Sequence, residues 1–166
     1  PQDVFLFSDT IANNLKFGSE DKQEPSLDAL RKVCKSAHVL HNIEEFEHGF
    51  DTILGERGVN LSGGQKQRVS IARALLKNPE ILILDDCLSA VDSHTENKIL
   101  NYFQSSLKDK TAIIISHRIY VNLHFDKILV FQDGEVAHAG THEELLKISP
   151  YYLDLYERQL SDERID

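Results

Sequence analysis

The distribution of apolar residues changes character near Asn78-Pro79. From Thr10 to Lys77 apolar positions recur at helical spacing, whereas from Ile81 to Ala139 short β-rich runs alternate with a polar helical stretch. Ser26 precedes Leu27, Leu30, Val33 and Cys34, a spacing that places one apolar stripe on a Ser-capped helix. A second helix is expected from about His38 to Phe46. Gly49, Gly55 and Gly58 then mark a loop that runs into Asn60-Leu61-Ser62-Gly63-Gly64-Gln65. From Gln65 to Lys77, Val69, Ile71, Ala72, Ala74, Leu75 and Leu76 give a broad apolar face with Lys66, Arg68 and Arg73 interspersed. Asn78-Pro79 stops that helix.

Beyond the break, ILILDD is a continuous apolar run of the kind found in a parallel strand buried on both faces, and it ends in Asp85 and Asp86. A helix follows, capped by Asp92 or Ser93. TAIIISH repeats the pattern, a strand whose far end carries His117. Two β-rich runs flank Asp133-Gly134, a strong hairpin signal. Thr141-His142-Glu143-Glu144 has capping-box spacing, and Tyr151 to Leu160 reads as a last amphipathic helix. The class is therefore α/β, with a helical portion inserted ahead of the sheet.

Composition narrows the function. At 166 residues, 41% hydrophobic and 27% charged, the chain suits one soluble globular domain. A formal charge of −9 argues against a broad nucleic-acid footprint, so no nucleic-acid partner is expected. Cys34 and Cys87 lack metal-ligand spacing and form no disulfide framework, which fits a reducing compartment. The longest apolar runs are strand-length, short of the ~20 residues of a membrane helix. The opening Pro1-Gln2-Asp3 carries no leader pattern and reads as a piece of something longer.

The chemistry gathers in two places. Ligands of an open parallel sheet sit beyond the carboxyl ends of its strands, where Asp85-Asp86 and Ser116-His117 are expected to converge. An apolar strand ending in acid suits Mg²⁺ beside nucleotide phosphates, the alternative being two acids that merely begin a loop. Leu61-Ser62-Gly63-Gly64-Gln65 opens a helix whose free N–H groups and glycines let a phosphate approach, the alternative being an ordinary Ser-capped helix. His38, His41, His48, His94, His124, His138 and His142 are scattered, and only His38 and His41 form even a weak i, i+3 pair; solvated positions explain them better than metal ligation. Cys87 is either oxidation-sensitive or packed at the strand end.

LSGGQKQRVSIARALLKNPEILILDD resembles the signature-to-Walker-B stretch of ATP-binding cassette (ABC) ATPases, and the resemblance extends over essentially the whole chain. Pro1-Gln2 is similar to the end of the Q-loop, Ser89-Ala90-Val91-Asp92 to the D-loop and His117 to the switch histidine. PQDVFLFSDTIANNL and TILGERGVNLSGGQKQR resemble the exporter branch, in which the segment holding Glu56 and Arg57 lies near the coupling helices of a transmembrane domain. The resemblance implies a partial RecA-like P-loop NTPase sheet with an inserted α-helical subdomain. Residues 1–78 would carry the Q-loop end and the helical subdomain, and 79–166 the Walker B, D-loop and switch-histidine part with the C-terminal helices.

It also implies ATP and Mg²⁺ as cofactors. Asp85 would hold Mg²⁺, with Gln2 sensing it and the attacking water. Asp86 would stand where most active members carry a Glu general base. His117 would contact the γ-phosphate, and Asp92 would sit at the dimer seam. Ser62, Gly63, Gly64 and Gln65 would clamp nucleotide held by a second cassette. The implied setting is the cytoplasmic face of a membrane, as the energy-coupling part of an exporter, with the chain itself soluble. A soluble ABC ATPase of DNA repair or translation is the second reading, and a non-hydrolysing interaction module the third.

Two departures qualify the resemblance. Asp86 withdraws the carboxylate by about 1.5 Å relative to Glu, which favours one half of a heterodimer over a slow homodimer. No GxxxxGK[ST] occurs, so the phosphate cradle is absent from these residues and apolar strand faces or edges are expected to lack partners. Calorimetry on this chain alone is therefore expected to give a millimolar dissociation constant for ATP or no binding, with no turnover; micromolar affinity would contradict this.

Overall fold

Short polar side chains open the first two helices. Thr10 Oγ1 accepts the Asn13 N–H at 3.0 Å before α1 (Ile11–Lys16), and Ser26 Oγ accepts the Ala29 N–H at 3.3 Å before α2 (Leu27–Ser36), the cap expected from the sequence. The computed structural model describes residues 4–17, 24–55, 58, 60–121 and 123–162. The chain divides into two compact units, residues 1–115 and 116–166.

In the first unit, α3 (Leu40–Glu44) is shorter than expected because His38 takes a left-handed backbone, φ 52°, which no α-helix continues through. A 3₁₀ turn, Gly49–Asp51, leads toward α4 (Gly63–Leu76). β1 (Ile81–Asp85), α5 (Ser93–Ser106) and β2 (Thr111–Ile115) follow, with Asp92 as the N-cap of α5 through Thr95 N–H at 2.9 Å. Helix α4 packs against α1 and α2 over a core that includes Leu15, Leu30, Ile43, Val69 and Ala72. Cys34 lies in this core, and burial pushes its thiol up to about 12.

Strands β1 and β2 pair in parallel, Ile81 with Thr111 through Asp85 with Ile115. Here the structure corrects an expectation. β1 is buried on one face only: Leu82 and Leu84 are covered, while Ile81 and Ile83 are 61% and 60% exposed. Ile113 and Ile115 on β2 are exposed too. The alternation follows from the pleat, with only one sheet face covered among the described residues. The run of apolar residues thus anticipated two covered faces, and the exposed one matches the expectation of strand faces without partners.

The second unit holds an antiparallel hairpin, β3 (Ile128–Gln132) and β4 (Glu135–Gly140), in a sheet separate from β1–β2. Asp133 and Gly134 both have positive φ, 51° and 83°, the two-residue turn that the Asp-Gly pair announces. A full capping box between Thr141 and Glu144 opens α6 (His142–Ile148), and α7 (Pro150–Asp162) follows. Ile119, Val130, Leu145 and Tyr152 form this unit's core.

An exposed apolar sheet face drives association. The isolated chain is expected to self-associate at micromolar concentration, and Ile83→Lys to shift it toward monomer in sedimentation velocity. A monomeric parent chain would contradict this.

Candidate functional site

Helix α4 begins with a reciprocal cap. Ser62 Oγ accepts the Gln65 N–H at 3.2 Å, and the Ser62 N–H donates to Gln65 Oε1 at 2.9 Å. Within the chain the Ser-capped helix is thus real, and the Gln65 carbonyl oxygen is spent on it. Ser62 and Gly63 are exposed. The first-turn N–H groups of Gly63 and Gly64 have no intrahelical acceptor by helix geometry, and this end carries the positive pole of the helix dipole.

Gly64 is required by packing inside the chain. A β-carbon there would lie 2.5 Å from the Ala90 carbonyl oxygen, whereas one on Gly63 would lie 3.5 Å from Ala90 Cβ. One helical turn on, Gln67 is buried and its amide is satisfied at both ends by the same segment. Nε2 donates to Ser89 Oγ at 2.9 Å and Oε1 accepts the Ala90 N–H at 2.9 Å. Ser89 Oγ donates in turn to the Asp86 carbonyl at 3.0 Å. Sequence reasoning passed over Gln67. The available signal was its position four residues before Ile71, which sets a polar amide on the apolar face of the helix.

Asp85 occupies the last position of β1 and is exposed. Asp86 leaves the strand with φ 45°, its N–H donating to the Ile115 carbonyl at 2.9 Å. Asp is among the few side chains that tolerate this backbone region. Cys87 is half-buried, and burial pushes its thiol up to about 11, which keeps it protonated and supports packing over reactivity. Asp92 is exposed at the cap of α5, where the Thr95 N–H and then its hydroxyl hold the carboxyl below its ordinary value. Among the described residues no three His, Cys, Asp or Glu side chains gather as a metal cage. A lone strand-end carboxylate still fits a cation such as Mg²⁺, which takes one or two carboxylates and draws its remaining ligands from phosphate and water.

His117 lies in the second unit and is exposed. Its neighbours are held firmly. Ser116 Oγ accepts the Arg118 N–H at 2.9 Å, and the Gln159 amide brackets Ile119, accepting its N–H at 2.9 Å and donating to its carbonyl at 2.9 Å. Gln2, Glu56 and Arg57 lie outside the described residues. His38, His41, His48, His94 and His124 are exposed, while His142 is half-buried with Nδ1 3.0 Å from the Tyr152 hydroxyl. Arg68 donates to the Gly64 carbonyl at 3.2 Å and to the His38 carbonyl, and Arg73 donates to the Phe5 carbonyl at 3.2 Å. These are structural pairings.

A parallel strand pair joined through a helix and preceded by a helical portion whose last helix starts on two glycines makes a mixed α/β arrangement with a small parallel sheet. Residues 1–89 match the family model described as ABC transporter, and the chain belongs to that family as part of an exporter-type nucleotide-binding domain. It is 44% identical over 160 residues to an ATP-dependent lipid A-core flippase of Pasteurella multocida (strain Pm70), covering 96% of this chain and 27% of that protein. It is 46% identical over 159 residues to a probable multidrug resistance ABC transporter ATP-binding/permease protein, YheI, of Bacillus subtilis (strain 168), with the same coverage of 96% and 27%. Among solved structures, a bacterial Atm1-family ABC exporter with ATP bound matches at a TM-score of 0.88 and 40% identity, over 96% of this chain and 28% of that one. The chain spans about a quarter of the length of the curated relatives it matches.

The two glycines should respond differently to a methyl group. Gly64→Ala is expected to destabilise the chain by about 1–3 kcal/mol in urea melts, the usual cost of overpacking. Gly63→Ala should change stability much less, and equal losses at both positions would contradict the packing argument.

Proposed function

We propose that this chain is the signature and acid-bearing part of an ATPase cassette in a membrane exporter, where ATP binding and hydrolysis by paired cassettes drive transport. The observations that carry this reading are the exposed, glycine-bearing start of α4 and the exposed Asp85 at the end of β1. Ser62, Gly63, Gly64 and Gln65 offer a positive helix end to the phosphates of nucleotide held by a second cassette. Asp85 holds Mg²⁺, which supplies charge neutralisation at the phosphates when bound. Asp86 orients the attacking water, His117 contacts the γ-phosphate, Asp92 lies at the seam, and Gln2 links the site to the transmembrane domain. The shorter reach of Asp86 favours a heterodimer in which the other site hydrolyses faster.

An aromatic surface supports the membrane setting. Phe5 and Phe17 are 56% and 57% exposed, and Phe7 bridges them with ring centroids 4.9 and 4.3 Å away. Such a patch suits docking of coupling helices from a transmembrane domain, in keeping with a cassette at the cytoplasmic face of a membrane. No helix among the described residues is long and apolar enough to cross a membrane itself.

The test uses the complete exporter polypeptide carrying this chain, reconstituted in proteoliposomes. Asp86→Glu is expected to raise turnover at this site by roughly 10- to 100-fold, the scale of a carboxylate moved by about 1 Å, and in that Asp86→Glu background Asp85→Asn is expected to lower hydrolysis at this site roughly 100-fold. Unchanged hydrolysis with Asp85→Asn would overturn the ATPase reading. No gain with Asp86→Glu would remove the weak-site heterodimer and leave the rest standing.

A further inference from the structure

We propose that Gln159 on α7 is a positioning residue for His117: its amide fixes the main chain two residues beyond that histidine and so sets where the imidazole meets the γ-phosphate. The proposal rests on the functional reading above.

Ile119 lies between β2 and β3, outside any strand or helix, so no ladder or helix supplies partners for its N–H and carbonyl. Its side chain is buried with Val130, Leu145 and Tyr152. Backbone groups drawn toward a core with such a side chain cost free energy unless they are hydrogen-bonded. Gln159, 40 positions later, meets both of them. Oε1 accepts the Ile119 N–H at 2.9 Å, and Nε2 donates to the Ile119 carbonyl at 2.9 Å. One side-chain amide thus pairs with this residue as a neighbouring strand would. Helix α7 delivers the amide by its spacing: Tyr152 belongs to the core, Leu155 and Tyr156 pack against it, and Gln159 follows at the next position of the same stripe.

The second restraint is local. Ser116 Oγ reaches across His117 to accept the Arg118 N–H at 2.9 Å, closing a small ring that contains the His117 backbone. That ring fixes the shape of the stretch, whereas the Gln159 clamp fixes its place in the second unit. The His117 side chain is exposed, and only two torsions separate its ring from the main chain. A displacement of the backbone therefore reaches the imidazole almost in full. Without the clamp the Ser116 turn shifts as a body and takes His117 with it.

The experiment measures ATP hydrolysis by the complete exporter polypeptide in proteoliposomes, in the Asp86→Glu background. Gln159→Ala is expected to lower kcat roughly 10- to 100-fold, the scale of about 1 Å of misplacement, with KM for ATP within about twofold. His117→Ala should lower kcat roughly 100-fold, as loss of one donor to developing charge does. Adding Gln159→Ala to His117→Ala should then cost nothing further. Gln159→Glu separates positioning from folding. Its ionised carboxylate only accepts and sets a negative charge against the Ile119 carbonyl, while the protonated carboxyl has one donor and one acceptor and replaces the amide. Its kcat, as a ratio to that of the parent at the same pH, should be low at about pH 8 and rise severalfold toward about pH 5.5. Unchanged kcat in Gln159→Ala, multiplicative losses in the double variant, or a Gln159→Glu ratio that stays flat with pH would overturn the proposal. If His117→Ala lowers hydrolysis while Gln159→Ala does nothing, only the clamp fails. If His117→Ala leaves hydrolysis unchanged, the role of His117 in the functional reading fails and the clamp fails with it.

Discussion

The approach of α4 to residues 89–91 is so close that position 64 has no room for a β-carbon, and the arrangement of the first unit depends on it. A helix held at that distance brings its next turn against the same segment, which is why a buried glutamine can satisfy both ends of its amide there. The far end of α4 is fixed as well. Arg73 donates to the Phe5 carbonyl and, at 3.4 Å, to Asn14 Oδ1, while its guanidinium lies 6.0 Å from the Phe17 ring centre. Burial lowers the Arg73 pKa from its ordinary value, and charge-assisted hydrogen bonds offset part of that desolvation. Asn14 is almost fully buried and holds Phe7 by donating to its carbonyl at 3.0 Å and accepting its N–H at 2.8 Å. Helix α4 is thus a rod anchored at its start, its middle and its end, and the segment that follows Gln2 is tied to the same rod.

What the sequence disclosed follows the range of the forces involved. Caps at Ser26, Asp92 and Thr141, the Asp133-Gly134 turn and the stop after Leu76 are local, decided by residues a few positions apart, and all were legible. The parallel pairing of β1 with β2 was legible as a class because a helical stretch separates two apolar runs. The exposure of Ile81 and Ile83 was not, because an apolar run states what a strand can bury and not which neighbours are there to bury it. Gln67 was missed for a related reason. Its importance lies in partners more than twenty residues away, and a helical-wheel reading sees only that a polar side chain has strayed onto an apolar face. The short α3 depended on one left-handed residue, His38, whose type gives weak warning of it.

Residue 86 is where the demands of the turn and of the chemistry meet. The backbone there must leave the strand at φ 45°, keep the N–H on Ile115 and offer its carbonyl to Ser89. Asp suits such a backbone because its short polar side chain tolerates the left-handed region better than longer ones do. Glu would extend the carboxylate by one methylene and lose part of that ease. Within the proposed paired cassette, Asp suits the left-handed turn and shortens the reach toward the water in this chain's own site. The helix start proposed to serve the other site has its serine cap, both glycines and its buried amide in place. On the proposed function, an intact helix start beside a shortened carboxylate at position 86 is what the weaker half of an unequal pair would carry.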